Sequence, residues 1–167
     1  MFEKLINKQS TTKKNEEIFA HASGEIVEME NVPDPIFSKK IMGEGIAILP
    51  LDGKVVAPAD GHIIMVADTK HAFALRTSLG AEILVHIGLE TVGLKGEGFT
   101  VLTKLGDKVV KGQLLVEVDL DFIKKDAEST IIPMVITNNT QGEFGLQWEN
   151  IKQVKAGETK IFTISIK

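Results

Sequence analysis

The chain has no cysteine among its 167 residues, which excludes disulfides and thiol chemistry within it and suits a reducing cytosol. It has no apolar run near the ~20 residues a membrane span requires, and its first residues, "MFEKLINKQSTTKKNEE", contain neither a long apolar core nor a small-residue cleavage site. A cytoplasmic, soluble protein is therefore expected. Basic excess is also missing: the net charge is −4, with both signs mixed along the chain, so no footprint for nucleic acid is visible and electrostatic steering would favour a basic partner. Histidines are few, at positions 21, 62, 71 and 86, and no His-x-His pair occurs.

What is present suffices for one domain, since a chain of this length buries roughly 70% of its unfolded surface. Lys8 to Glu17 is polar, and residues 1–17 are expected to form a mobile tail ahead of a single domain over 18–167; "MFEKLI" offers an amphipathic turn or a frayed end. Beyond it the pattern is that of a β protein. Short runs rich in Val and Ile are separated by Gly, Pro and Asp: "GEIVEM", "GIAILPL", "GHIIMV", "HAFALRT", "AEILVHIG", "QLLVEVDL", "IIPMVIT" and "KIFTISIK". In the last, Phe162, Ile164 and Ile166 share one face. Only "LDFIKKDAES" reads as a short helix. A sandwich or barrel is expected. "AHASGEIVEM" resembles "APADGHIIMV", and "GIAILPLDG" resembles "AFALRTSLG", which suggests a duplicated strand-turn-strand unit.

In "EILVHIG" the two-residue period places Ile83, Val85 and Ile87 on one face and Leu84, His86 and Gly88 on the other. His71 opens the preceding run, and "TSLGA" marks a hairpin between them. A loop of Ser78 and Leu79 sets His71 directly opposite His86; a loop shifted by one residue makes them diagonal. Two imidazoles on an apolar patch favour the neutral ring with a free lone pair, and Thr69 can fix the tautomer of His71. The glycines at 88, 93, 96 and 98 would let another molecule approach this backbone closely. No third ligand accompanies the two histidines, so no metal site is expected.

"VPDPIFSKKIMGEGIAI", "VAPADGHI", "TKHAF" and "LVHIGLETVGLKGEGF" occur in that order, and together they resemble the glucose-type enzyme IIA family of the bacterial sugar phosphotransferase system. The likeness extends over residues 18–167 and implies an all-β, duplicated antiparallel sandwich or barrel-like fold with one or two short helices. It further implies that His86 accepts a phosphoryl group from the phosphohistidine carrier HPr and passes it to a cysteine in the IIB domain of a sugar permease. In that family the positions matching His71 and Thr69 assist the transfer. Ile36, Phe37, Ile41, Met42 and Val92 match an exposed apolar apron, with Gly88 and Glu90 at the contact and Glu44 and Glu97 in an acidic fringe. Some relatives carry Phe where Ala67 stands, which implies a narrower apron here. No cofactor is implied; the protein is expected to be a monomer that meets the membrane only through the permease. Two other readings are a zinc-dependent hydrolase and a lipoyl- or biotinyl-like carrier, the latter hinted at by "APADGHI" and "GDKVVKGQLL".

Overall fold

A computed structural model describes residues 14–167. Its strands are β1 (Asn15–Phe19), β2 (Gly24–Glu28), β3 (Glu44–Pro50), β4 (Lys54–Val56), β5 (Gly61–Val66), β6 (Ala72–Thr77) and β7 (Glu82–His86). They continue as β8 (Phe99–Val101), β9 (Lys108–Val109), β10 (Leu114–Val118), β11 (Ile132–Ile136), β12 (Phe144–Trp148), β13 (Gln153–Val154) and β14 (Lys160–Ile166). All eight runs expected to be strands are strands. Two single-turn helices, α1 (Pro35–Ser38) and α2 (Leu120–Ile123), complete an all-β fold.

The strands pair antiparallel in three sheets: an eight-stranded one in the order β13-β2-β3-β11-β7-β6-β5-β9, and two three-stranded ones, β1-β14-β12 and β4-β10-β8. Each order is linear, so the architecture is a sandwich and no sheet closes into a barrel. The duplication is visible in the large sheet. Hairpin β2–β3 is flanked by β13, hairpin β5–β6 by β9, and the matching glycines, Gly24 and Gly61, begin β2 and β5.

Two apolar clusters follow from strand alternation. Ile83, Val85 and Ile87 point into the main core with Ile48, Phe73, Leu75, Leu115, Phe162 and Ile164, all nearly without exposure. Ile166, at the end of β14, is exposed. On the outer face of the large sheet Ala47, Ala72, Ala74, Leu84 and Val135 form a second cluster, roofed by Met29, Val32 and Phe37. The roof exists because an apolar sheet face left in water would forfeit roughly 25 cal/mol for each Å² it could bury. α1 is part of that roof: Asp34 caps it, its Oδ1 accepting from the Ile36 N–H at 2.9 Å, and Pro35 occupies the first turn, where no backbone donor is needed.

One boundary differs from expectation. Asn15, Glu16 and Glu17, assigned to the tail, are the first residues of β1, which pairs with β14 and buries Ile18 completely. The amphipathic turn considered for "MFEKLI" lies outside the described residues.

Candidate functional site

His86 is the last residue of β7, on the outer face with Leu84, as the alternation predicts. Its Nδ1 lies 2.8 Å from the carbonyl oxygen of Gly88. A carbonyl only accepts, so Nδ1 holds the ring proton and Nε2 carries the free lone pair. The carbonyl is itself fixed. Gly88 N–H donates to Ile131 O at 2.9 Å, and the Thr91 hydroxyl donates to Ile87 O at 2.7 Å. Gly88 is left-handed, with φ +78°, and a Cβ there would stand 2.6 Å from the Thr91 methyl, so only glycine fits this turn.

The hairpin register is neither strictly opposite nor a simple diagonal. Thr77 N–H donates to Ala81 O at 2.8 Å, which leaves Ser78, Leu79 and Gly80 as a three-residue loop and puts Ala72 opposite His86. His71 lies in the loop just before β6, so strand alternation does not fix its side. Lys70 beside it has φ +64°, and the His71 ring meets His86 edge-on, with centroids 4.9 Å apart and planes at 76°. Two contacts hold His71: its Nδ1 is 2.6 Å from the Thr69 hydroxyl, and its carbonyl accepts from Ile87 N–H.

Both imidazoles titrate below the ordinary histidine range. For His86 the chief cause is burial, opposed by the Gly88 carbonyl and the negative charge of Asp34. For His71 it is burial, then the neighbouring His86, opposed by the Thr69 backbone. At neutral pH both rings are therefore uncharged, and His86 presents an unprotonated Nε2.

A shallow cleft of about 200 Å³ adjoins His86, lined by Asp34, Ile36, Phe37, Met42, Glu90, Thr91 and Val92. Larger clefts, of about 580 and 600 Å³, lie away from the histidines, one between β1 and Lys111 and the other beside β2. The smaller one is the candidate site, because the paired imidazoles stand there. Around it Ile36, Ile41 and Val92 are 47%, 69% and 54% exposed, Met42 is half-buried, and Glu90, Glu44 and Glu97 are exposed.

Phe37 departs from the expected apron. It is only 4% exposed and belongs to the outer cluster. On a single helical turn capped by Asp34, Ile36 faces water while Phe37 turns to the sheet, where its ring meets that of His86 with centroids 5.3 Å apart. It is a wall of the histidine pocket and not an exposed anchor. Asp34 was not singled out in the sequence, although an Asp-Pro pair ahead of apolar residues is a helix-start signal. Thr91 was missed as well, since nothing local shows that its hydroxyl reaches back to Ile87.

The other histidines stand apart. His62 is exposed on β5, and His21 is fully buried with its Nε2 2.8 Å from Ile132 O. Among the described residues no group of three or more His, Cys, Asp or Glu side chains is arranged to hold a metal. In "GDKVVKGQLL" Lys111 lies in a turn with its ammonium 4.1 Å from the centre of the Phe19 ring. No helix among the described residues is long and apolar enough to cross a membrane.

The family described as "phosphoenolpyruvate-dependent sugar phosphotransferase system, EIIA 1" matches residues 16–142. The PTS system glucose-specific EIIA component of Halalkalibacterium halodurans is 46% identical, with 99% of each chain covered. That of Staphylococcus epidermidis is 43% identical at the same coverage. Among solved structures, glucose permease IIA from Mycoplasma capricolum superposes with a TM-score of 0.84 at 36% identity, covering 90% of this chain and 96% of the other. The chain belongs to the EIIA family of the sugar phosphotransferase system, whose members are phosphotransferase components serving sugar uptake.

Proposed function

We propose that His86 is the residue that carries the phosphoryl group, taken from the phosphohistidine of HPr and given to a cysteine of a permease IIB domain. The observation that carries this reading is the hydrogen bond from His86 Nδ1 to Gly88 O, which leaves Nε2 as a free nucleophile beside a second imidazole. In the first step the Nε2 lone pair attacks phosphorus in line, the new N–P bond forms, and the bond to the carrier histidine breaks with its electron pair returning to that ring. The proton remains on Nδ1, so the phosphorylated ring is cationic. The Gly88 carbonyl and the Asp34 charge both favour that cation. In the second step a cysteine thiolate attacks phosphorus, and the pair of the breaking bond returns to Nε2.

Catalysis of this kind is mainly positioning and charge stabilisation. His71, tethered at Nδ1 by Thr69, offers its other ring nitrogen to the phosphoryl oxygens, and the arriving dianion favours protonation of a ring that is neutral beforehand. Ile36, Ile41 and Val92 give both partners the same apolar contact, and Glu90, Glu44 and Glu97 suit a basic carrier surface. The protein would act as a cytoplasmic monomer, one domain that includes β1, touching the membrane only through the permease.

Incubation with phosphoenolpyruvate, enzyme I and HPr, followed by mapping of the phosphate, tests the reading. The label is expected on His86, labile in acid and stable in base, and absent from His86→Ala. Label on His71, or an acid-stable label on serine or threonine, overturns it.

A further inference from the structure

Lys40, Lys70, Glu90 and Lys95 are the non-glycine residues with left-handed φ among those described. Lys70 has the most consequence, because it immediately precedes His71. The β5–β6 hairpin closes through Ala67 N–H to Ala72 O at 2.9 Å, and inside it Lys70 N–H donates to Ala67 O at 2.8 Å. Asp68, Thr69, Lys70 and His71 therefore form the loop. Glycine or asparagine would adopt φ +64° at lower cost, so a long side chain here calls for a reason outside the backbone.

The reason lies in the facing loop. Gly96, buried and itself at φ +89°, follows the 3₁₀ turn Val92–Leu94 beside the histidine cleft. Lys70 Cγ, Cδ and Cε lie 3.5, 3.2 and 3.5 Å from the position a Cβ on Gly96 would occupy. The methylene stem thus rests on bare backbone while the residue as a whole stays exposed, the usual disposition of a lysine that packs its stem and solvates its ammonium. The stem joins the loop carrying Thr69 and His71 to the loop carrying Val92. Thr69 orients the His71 ring but travels with the same loop; a bond from Ile87 N–H to His71 O holds the end of that loop, and the Lys70–Gly96 contact braces it from the facing loop.

We propose that Lys70 is a positioning residue for phosphoryl transfer, its stem on Gly96 holding the His71 loop so that the His71 ring stays against His86. The inference rests on the reading of His86 and His71 given above. Without this contact the hairpin tip keeps only its backbone bonds, Ile87 N–H to His71 O among them, and is less constrained; a shift of about 1 Å in a group that acts on the transferred phosphoryl is enough to cost up to ~100-fold in rate.

The test compares Lys70→Asn, which accepts the left-handed backbone but has no stem, with Lys70→Met, which keeps an unbranched stem without the charge. Two quantities are read: the NMR titration of His71 in the unphosphorylated protein, and the ratio of donation rate to IIB over acceptance rate from HPr in single turnovers. Lys70→Asn is expected to move the His71 titration up toward the ordinary range, because the ring leaves its buried place beside His86, and to lower the ratio about tenfold. Lys70→Met is expected to restore both. Wild-type values for Lys70→Asn overturn the proposal, and so does a Lys70→Met protein that behaves like Lys70→Asn, since the charge and not the stem would then be responsible. Should wild-type His86 take no phosphate, the functional reading fails, while the titrations alone still decide whether Lys70 holds His71 in place.

Discussion

His86 and Gly88 are joined by a hydrogen bond of 2.8 Å between a side chain and a carbonyl only two residues further along the chain. The strand that presents His86 thus ends in the turn that selects its tautomer. Gly88→Ala forces a Cβ toward the Thr91 methyl at 2.6 Å and toward Ser129 O at 3.0 Å, in a left-handed conformation alanine disfavours. A loss of roughly 1–3 kcal/mol of stability is expected, from strain of this kind. In ¹⁵N spectra the His86 ring should shift from the pure Nδ1–H form to a tautomer mixture, with slower phosphate uptake. An unchanged tautomer would mean that something other than Gly88 sets it.

His71→Gln should separate the two half-reactions. His86 and its bond to Gly88 remain, so the variant is expected to acquire phosphate on His86; it lacks the imidazole proposed to steady the departing phosphoryl group, so donation to IIB should fall by about 10²-fold or more. Rapid-quench single turnovers with each partner measure both. Equal losses in the two directions would reduce His71 to a scaffold.

Burial divides the apolar residues near the site into two classes. Phe37→Glu places an uncompensated charge in the outer cluster and should cost several kcal/mol of stability. Ile41→Glu and Val92→Glu stand in water and should leave the melting temperature nearly unchanged while weakening both HPr and IIB by about 2 kcal/mol, the usual loss of an interface anchor. Calorimetry of the free proteins and titration against each partner separate these effects, and simultaneous binding of HPr and IIB would exclude a shared apron.

His21 sets an acid limit on the fold. Burial lowers its pKa from 6.5 to about 4, partly offset by the Ile132 carbonyl. The unfolded chain therefore binds a proton that the native protein refuses between those values, and stability rises with pH across that window. Its contribution is complete above about pH 6.5 and is lost as pH falls toward 4; the 2.5-unit gap corresponds to about 3 kcal/mol. Urea unfolding at pH 7 and pH 4.5 should show the decline, and His21→Gln should flatten it. An equally steep slope in the variant would move the effect to other groups.

Eight strands were legible because each lies in a run rich in Val, Ile and other apolar residues bounded by turn residues. β4, β8, β9 and β13 were not, since two or three residues cannot display a period, and neither were β1 and β12, whose outer positions are polar edges of a three-stranded sheet. The face of His86 was also legible: Leu84 and His86 had to share one side of β7 once Ile83 and Val85 filled the core.

The sequence by itself determined an all-β chain with a repeated hairpin, a histidine on the outer face of a strand, and a companion histidine one hairpin away. Those properties depend on the two-residue period and on motif order, both local. Three matters were decided only by tertiary structure. The three-residue loop at Ser78–Gly80 set the register, and the loop ahead of β6 brought His71 to the side of His86. The Gly88 carbonyl chose the tautomer because its turn is held by Ile131, far along the chain, and by Thr91, three residues on. Phe37 went inward because the outer face of the large sheet had to be covered, a demand set by residues as distant as Ala72 and Val135 and invisible from its neighbours in the sequence.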